Sequence, residues 1–481
     1  MTIIKDGFVR AGADGMITCY NNLVSNEFKK GSRYKNNRYI SNMVPELVSI
    51  GTNMVRNGIV KNGQKLYDNN KQKIADVYDF HIKGQPFFID SGGFLASIGK
   101  MKIEHCPYLI QYYTDYIKET TSDPLYADMQ YFYLDIVPSE KGIKKNIALD
   151  YMNQFHQELI KKVQNIPNGL QKMYIVIQCN NEDSYDTFYH FIRDNKIYEQ
   201  INSHKWSIGG MVPLDFNEDQ YVVRPYMTAL FDMLDLELDN LKKGIPVYFH
   251  ILGTSSYFEM VLIAWMNILC ECCELPLIIT FDSTTHINNV SKAGRLHYYD
   301  ENNEEFPITT FDTKEKELYK IISNRNGLMN VDYLNRVKNE ITTELELNET
   351  DWFDKNGRWT SQANNAMMIY ESYAFGQIYP FVKKVSNERK DWILYDESEL
   401  KYLMVKLILE KIDYTFNSSC YKPSFDRKVY EKILNSLQWF KLALKNKLPN
   451  KHKSYQLVKS MFGQNTDLAG KGPDDVIKSK K

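Results

Sequence analysis

The sequence predicts an α/β protein: a (β/α)8 TIM-like barrel with an appended C-terminal helical segment. Six short apolar runs, rich in β-branched and aromatic residues, each stop at a polar residue or a glycine. The runs recur at intervals of roughly 30–45 residues, which is the length of one strand–helix unit. Six such units and an N-terminal portion favour a closed barrel, with an open doubly wound sheet as the structural alternative.

Each of the six runs is predicted to form one buried strand. The runs are residues 86–90, 130–135, 173–178, 205–210, 246–253 and 276–282. Amphipathic or apolar helices are predicted between them, at residues 106–118, 147–163 and 254–273. Ser256 and Glu259 have the spacing of a capping box at the start of the last of these helices.

The chain before residue 86 carries weaker signals. Residues 16–20 are predicted as a short strand, and residues 43–55 as either a helix or a strand. Residues 57–72 are polar and contain the turn dipeptides Asn57-Gly58 and Asn62-Gly63. These dipeptides predict a hairpin, because asparagine and glycine readily adopt the backbone conformations of tight turns.

The chain is predicted to divide into three regions. Residues 1–385 form the barrel, with a polar, acidic excursion at 300–360 and a closing helix at 365–385. Residues 386–463 form the C-terminal segment, with helices at 399–416 and 427–447, and residues 464–481 a disordered tail. Between residues 422 and 459 there are ten lysines and arginines against two acids. This excess indicates either a solvated helix surface or a basic face that contacts a nucleic-acid backbone.

Composition excludes several classes of function. The 481 residues carry a net charge of -1, so any nucleic-acid surface must be a local patch. Seven irregularly spaced cysteines predict a reducing compartment and no disulfide framework. No apolar run has the length of a membrane span, and the N-terminus lacks a signal-peptide core, so a cytoplasmic protein is expected. Neither a G-x-G-x-x-G nor a P-loop motif is present.

Polar residues and glycines stand at the ends of the predicted strands. They are Asp90, Asp135, Gln178, Gly209-Gly210, residues 250–253 and Asp282. The carboxyl ends of barrel strands meet at one mouth, so these residues are expected to line one pocket. Three carboxylates in a partly dry pocket separate their pKa values, which provides one acid and one nucleophile or base. Each residue alone also has a structural explanation, as a cap or as a satisfied polar group.

Two carboxylates that act at a sugar carbon indicate a retaining glycosyl transfer. One carboxylate attacks C1′, and the other protonates the leaving group and later deprotonates the incoming one. The Gln178 amide and the glycine backbone suit hydrogen bonding to a flat polar heterocycle, and Phe94 and Leu252 are placed to sandwich it.

The ordered strand-end motifs resemble those of the tRNA-guanine transglycosylase superfamily. The motifs are Asp90-Ser91-Gly92-Gly93-Phe94, Leu134-Asp135, Ile177-Gln178, Ile208-Gly209-Gly210-Met211, Ile251-Leu252-Gly253 and Phe281-Asp282-Ser283. The first motif is the most specific, and the resemblance covers residues 80–380. It implies a pentosyltransferase that exchanges a base through a covalent intermediate.

The resemblance implies a role for each motif residue. Asp282 is the expected nucleophile, and Asp90 is the expected general acid/base at the purine nitrogen. Asp135 is expected to bind the N1–H and amine edge of guanine, and Gln178 with the Gly210 backbone the opposite edge. The implied substrate site is completed by Ser91, Gly92, Gly93, Phe94, Gly209, Met211, Leu252 and Gly253. Phe94 is expected to stack on the base, and Leu252 stands where the family often has methionine.

The chain departs from the family's tRNA enzymes after the nucleophile. Those enzymes carry a C-x-C-x-x-C…H zinc site there, whereas residues 283–364 contain no cysteine. Cys270, Cys272 and Cys273 precede the nucleophile in an apolar helix, where core positions are expected. The sequence therefore predicts no zinc site and no cofactor.

Without the zinc motif, the chain looks more like the DNA-guanine transglycosylases of phages and bacterial genomic islands. This resemblance implies exchange of guanine in DNA for a free 7-deazaguanine base, such as preQ0 or a derivative, after extrusion of the target from the stack. tRNA is the alternative substrate. A catalytically silent barrel that binds nucleic acid is the second alternative, and a homodimer or a partner protein is left open.

Overall fold

A computed structural model describes most of the chain between residues 7 and 446. The described residues are 7–11, 39, 46–51, 59–79, 81, 84–97, 99–138, 143–179, 182–210, 224, 226–254, 256–284, 290, 295–300, 308–312, 327–345, 347–348, 351–352, 354, 359–395, 399–400, 403, 407 and 427–446. The strand predicted at 16–20, most of the helix predicted at 399–416 and the tail at 464–481 lie outside them.

Eight parallel strands close into a barrel in chain order. They are β1 (Gly7–Ala11), β2 (Glu46–Ser49), β3 (Phe87–Asp90), β4 (Met129–Phe132), β5 (Met173–Gln178), β6 (Lys205–Gly209), β7 (Val247–Ile251) and β8 (Leu277–Ser283). β1 pairs with both β2 and β8, which closes the sheet on itself. The predicted (β/α)8 barrel is confirmed, and each of the six predicted runs overlaps a barrel strand.

Helices connect the strands and continue after the last one. Up to β8 they are α1 (Ile59–Tyr78), α2 (Phe94–Ser97), α3 (Cys106–Ser122), α4 (Lys145–Val163), α5 (Glu182–Asp194), α6 (Ile197–Ile201), α7 (Met227–Lys242) and α8 (Tyr257–Cys272). An antiparallel pair follows, β9 (Arg295–Tyr299) and β10 (Ile308–Asp312). The remaining helices are α9 (Gly327–Glu344), α10 (Ser361–Gly376), α11 (Ile378–Asn387), α12 (Lys390–Tyr395) and α13 (Arg427–Asn446). Over the described ranges, none of the helices is long and apolar enough to cross a bilayer.

Aromatic side chains fill the barrel beneath its mouth. Phe88 of β3, Phe132 of β4 and Tyr174 of β5 all lie in ring contact with the buried His250 of β7. Phe88 stacks on Phe132, with ring centroids 5.6 Å apart. Because side chains alternate along a strand, Asp90 points inward one layer above Phe88, at the mouth.

The strand pair that closes the barrel is covered by α10 and α11. The Phe8 ring of β1 lies 5.5 Å from Phe281 of β8 and 5.2 Å from Phe375 of α10. Tyr379 of α11 packs against Phe281 at 5.4 Å. Two consecutive helices thus take the place of the single closing helix predicted at residues 365–385.

The hairpin predicted at residues 57–72 is wrong, because most of this stretch belongs to α1. Tyr67 and Ile74 are buried two turns apart on one face of the helix. Asn62 has non-helical angles (φ -128°, ψ 24°), so the turn signal there produces only a kink. Gly63 lies close to Tyr112 of α3, and a Cβ at this glycine would be 2.4 Å from the tyrosine hydroxyl oxygen. Packing of α1 on α3 therefore prevails over the local turn propensity.

Helix α13 of the C-terminal segment packs against α8 of the barrel. Its Trp439 ring lies 6.3 Å from Phe231 of α7. Ser436 accepts a hydrogen bond from the backbone N–H of Arg224 at 2.8 Å. Lys432 is buried, so part of the basic stretch lies against the barrel and is not on a solvated face.

Candidate active site

Three carboxylates meet at the carboxyl ends of the barrel strands. Asp90 ends β3, Asp282 is the penultimate residue of β8, and Asp135 lies three residues beyond β4. Asp135 and Asp282 are both 6% exposed, and Asp90 is half-buried. The charge of Asp282 raises the pKa of Asp90, and the charges of both raise the pKa of Asp135. The three side chains therefore lie close together at one mouth.

Two of the carboxyl groups at the mouth, Asp90 and Asp135, have raised pKa values. Burial raises the pKa of Asp90 from 3.8 to about 6, and the charge of Asp282 adds to this. The hydrogen bond from the Gly92 N–H acts in the opposite direction on this pKa. Burial, followed by the charges of Asp90 and Asp282, raises the pKa of Asp135 well above its ordinary value. The surroundings of Asp135 therefore favour its protonated form, and Asp90 exchanges a proton near pH 6.

A tight turn fixes the Asp90 carboxylate. The Gly92 N–H donates to Asp90 Oδ2 at 3.1 Å. Gly92 has a φ of +76°, in the left-handed region that favours glycine. A Cβ at Gly92 would also lie 2.4 Å from the Gly51 Cα, two residues beyond β2. Both conformation and space therefore require glycine at this position.

Ser91 joins this turn to the loop that carries Asp135. Its Oγ accepts hydrogen bonds from the N–H groups of Gly93 at 3.1 Å and Asp135 at 3.2 Å. Gly93 packs on the Asp135 carbonyl oxygen, where a Cβ would be only 2.7 Å away. The Tyr113 hydroxyl of α3 contacts the last carbonyl of β4 at 2.7 Å and a carbonyl of β3 at 3.0 Å. The two strands that carry these acids are thus held together at their ends.

Asp135 and Gln178 carry buried polar atoms that lie beside β6. Among the described residues, none hydrogen-bonds Asp135 Oδ1 or either polar atom of the Gln178 amide. A Cβ at Gly209 would lie 2.8 Å from Asp135 Oδ1 and 2.9 Å from Gln178 Nε2, so both side chains reach the same point of β6. Buried polar atoms are costly unless paired, and a ligand with complementary groups would satisfy them. A carboxyl group beside a primary amide can bind both donors and acceptors of one planar ring.

The Asp282 carboxylate is held through one of its oxygens. Oδ1 accepts a hydrogen bond from the Gly253 N–H at 2.8 Å, and it lies 3.2 Å from His250 Nε2. Gly253, the second residue after β7, has a φ of +76°, which turns its N–H toward the carboxylate. The other ring nitrogen, His250 Nδ1, lies 2.8 Å from Thr280 Oγ1.

The remaining predicted site residues rim the mouth or lie outside the described residues. Phe94 begins α2 and is half-buried. Leu252 is also half-buried and packs on the core, so neither side chain is fully covered. Gly210 follows β6 with a φ of +78°. Met211 lies outside the described residues. Stacking of a base on the phenylalanine and leucine remains a prediction.

Sequence reasoning assigned no role to His250 or Thr280. A signal for both was present, because alternation along a strand places His250 on the same face as Leu252, and Thr280 on the same face as Asp282. Following this alternation along β7 and β8 identifies a polar pair in the layer beneath Asp282.

The cysteines expected in the core differ in exposure. Cys270 is buried, whereas Cys272 and Cys273 are exposed at the C-terminal end of α8, so the expected core position is wrong for these two. Across the described ranges, no group of three histidine, cysteine or acidic side chains could hold a metal ion.

Comparisons with known proteins leave the family open. No family model matches the chain, and no curated protein matches it.

Proposed function

We propose that this chain is a transglycosylase that replaces guanine in DNA with a free 7-deazaguanine through a covalent aspartyl-glycosyl intermediate. The ordered strand-end motifs support this reaction by their resemblance to guanine transglycosylases. The observation that carries the proposal is the Asp135–Gln178 pair beside Asp90 and Asp282, whose buried polar atoms find no partner among the residues that the structure describes. Two catalytic acids alone are compatible with many glycosyl transfers. A carboxyl group and an amide that can hydrogen-bond a ligand favour a base with a polar planar edge as the substrate.

The first half-reaction removes guanine. A carboxylate oxygen of Asp282 attacks C1′, and the C1′–N9 bond breaks with its electron pair leaving on the base. Asp90 donates a proton to a departing ring nitrogen. A pKa of about 6 suits Asp90 for this work near neutral pH, because a general acid is most effective close to its own pKa.

The second half-reaction uses the same groups in reverse. Asp90, now a carboxylate, takes the proton from N9 of the incoming 7-deazaguanine. N9 attacks C1′, and the bond to Asp282 breaks with its electron pair returning to the carboxylate. Two successive displacements at C1′ retain the configuration of the sugar.

Asp135 and Gln178 select the base by its hydrogen-bonding groups. Guanine presents N1–H and the exocyclic amine as adjacent donors, which an ionised carboxylate of Asp135 accepts together. The Gln178 amide and the Gly210 N–H donate to the acceptors on the opposite edge. A 7-deazaguanine keeps N1–H, the amine and O6, so the same contacts admit it. Adenine presents an acceptor at N1 and leaves Asp135 without its donor.

The test is base exchange with matched variants. Purified protein is incubated with DNA that carries radiolabelled guanine, with and without free 7-deazaguanine. We expect release of label that depends on the free base and is lost in Asp282→Asn and Asp90→Asn. Asp150→Asn, on an exposed face of α4, is the control and should leave exchange unchanged. Absence of release from both DNA and tRNA would refute the proposal.

The same assay separates the candidate nucleic acids. Duplex DNA, single-stranded DNA and tRNA are compared at equal guanine concentration. Release from DNA alone supports the proposal. Release from tRNA alone would keep the chemistry and replace the substrate. Binding of nucleic acid without release from any of them would favour the silent barrel.

A further inference from the structure

The His250 ring occupies a closed site directly beneath Asp282. It is 0% exposed, and the rings of Phe88, Phe132 and Tyr174 surround it at 5.5, 4.9 and 6.3 Å between centroids. An imidazole ring surrounded by aromatic side chains keeps a single orientation, because rotation would leave its nitrogens without hydrogen-bond partners.

The chemistry of the partners fixes the order of the hydrogen bonds. A carboxylate only accepts, so His250 Nε2, which lies 3.2 Å from Asp282 Oδ1, carries a proton and donates it. His250 Nδ1, 2.8 Å from Thr280 Oγ1, then accepts from the threonine hydroxyl in the neutral ring. The result is a chain of donors that runs from Thr280 through His250 to Asp282.

Both hydrogen bonds to Asp282 end on the same oxygen. Oδ1 receives the Gly253 N–H at 2.8 Å and His250 Nε2 at 3.2 Å. Within the part of the chain that the structure describes, no hydrogen bond ends on Oδ2. One oxygen is therefore anchored, and the other keeps its lone pairs for reaction.

We propose that His250 is a positioning residue that makes Oδ2 the attacking oxygen of Asp282 and promotes its later departure from C1′. This inference rests on the proposed function. An Oδ2 lone pair forms the bond to C1′ while the C1′–N9 bond breaks toward guanine, which Asp90 protonates. In the return step the C1′–Oδ2 bond breaks toward Asp282, and N9 of the incoming base gives its proton to Asp90.

The hydrogen bond from His250 affects the two steps unequally. A donor stabilises an anionic carboxylate more than the neutral carbonyl of the glycosyl ester. Its removal destabilises Asp282 as a leaving group, so release of the sugar slows more than formation of the adduct. The covalent adduct should therefore accumulate. Loss of fold alone would reduce both steps together.

The experiment compares two amides at position 250. The nitrogen of His250→Gln reaches the place of Nε2, whereas the shorter His250→Asn reaches only the place of Nδ1. Each variant is incubated with end-labelled guanine DNA without free base, and the adduct is quantified on denaturing gels. Free 7-deazaguanine is then added, and loss of the adduct is timed. Circular dichroism confirms that both variants are folded.

We expect His250→Asn to form the adduct and to release it about tenfold to hundredfold more slowly than the wild type. His250→Gln should release it at nearly the wild-type rate, and Thr280→Val should show a smaller effect than His250→Asn. Equal release rates for the Gln and Asn variants, or equal loss of formation and release in His250→Asn, would overturn the role of His250. A wild type that forms no adduct with DNA or tRNA would instead overturn the proposed function, and this inference with it.

Discussion

The substitution Asp90→Asn removes a carboxyl group whose ionisation the folded chain disfavours. Burial raises the pKa of Asp90 from 3.8 to about 6, and unfolding restores the ordinary value. Between these two pH values the folded state binds the proton more tightly than the unfolded state, so stability falls as pH rises. Above about pH 6 the whole penalty is present. Asparagine carries no charge and keeps an oxygen for the Gly92 N–H, so the substitution removes the penalty.

The size of the effect follows from the two pKa values. The difference between 3.8 and about 6 corresponds to about 3 kcal/mol, at about 1.4 kcal/mol for each pH unit. Asp90 is half-buried, and solvent screening reduces this upper bound to on the order of 1–2 kcal/mol. We expect Asp90→Asn to be more stable than the wild type by this amount at about pH 7.5, and to show no gain near about pH 3.5.

Equilibrium urea unfolding at the two pH values measures this difference. The fully buried Trp206 and Trp265 provide the fluorescence signal. The exposed Asp150→Asn is the matched control, because it removes the same carboxyl group from the surface of α4. An Asp90→Asn variant that is no more stable at the higher pH, or that gains equally at both, would refute the reasoning. Only a group that titrates between the two conditions gives a gain that depends on pH.

Three further substitutions test the mouth. Asp135→Asn replaces an acceptor with a donor, so preference for guanine over adenine in competition binding should fall by about 1–3 kcal/mol. Calorimetry in two buffers should show that guanine binding releases a proton in the wild type and none in this variant, because burial favours the protonated form of Asp135 and the proposed contact requires its carboxylate. Gly209→Ala places a Cβ 2.8 Å from Asp135 Oδ1 and 2.9 Å from Gln178 Nε2, so calorimetry should show guanine binding weakened by about tenfold or more. Tyr113→Phe removes the hydroxyl that contacts β3 and β4, and urea unfolding should show a loss of about 1–2 kcal/mol.

The strands that could be predicted from the sequence are those whose own residues form an apolar run. β5 is an uninterrupted apolar run, and its observed bounds, Met173–Gln178, are those predicted. β1 has five residues, among them a glycine and an arginine, and it forms because β2 and β8 supply its hydrogen-bonding partners. Such a strand forms through its tertiary contacts and cannot be predicted from local strand propensity. The same reason explains α1, whose turn signals gave way to packing on α3.

The candidate site was predictable as far as barrel topology fixes it. Any acid at a strand end of a (β/α)8 barrel reaches the common mouth, so the positions of Asp90 and Asp282 followed from the strand pattern. Which buried atoms lack partners depends on register, such as the pairing of Gln178 with Gly209 across β5 and β6. The contact of His250 with Thr280 likewise depends on the pairing of β7 with β8. Distances between side chains on neighbouring strands depend on the assembled barrel and cannot be predicted from the sequence of one segment.

The pairing of Asp282 with Val9 across β1 and β8 has a consequence for biosynthesis. The two residues are separated by more than half of the 481-residue chain, so β1 leaves the ribosome long before its partner is made. During that interval the nascent sheet exposes open edges that can pair with other chains. Asp282, the proposed nucleophile, reaches its place at the mouth only when β8 pairs with β1. Translation that stops before residue 277 would therefore release an aggregation-prone fragment that lacks β8 and Asp282.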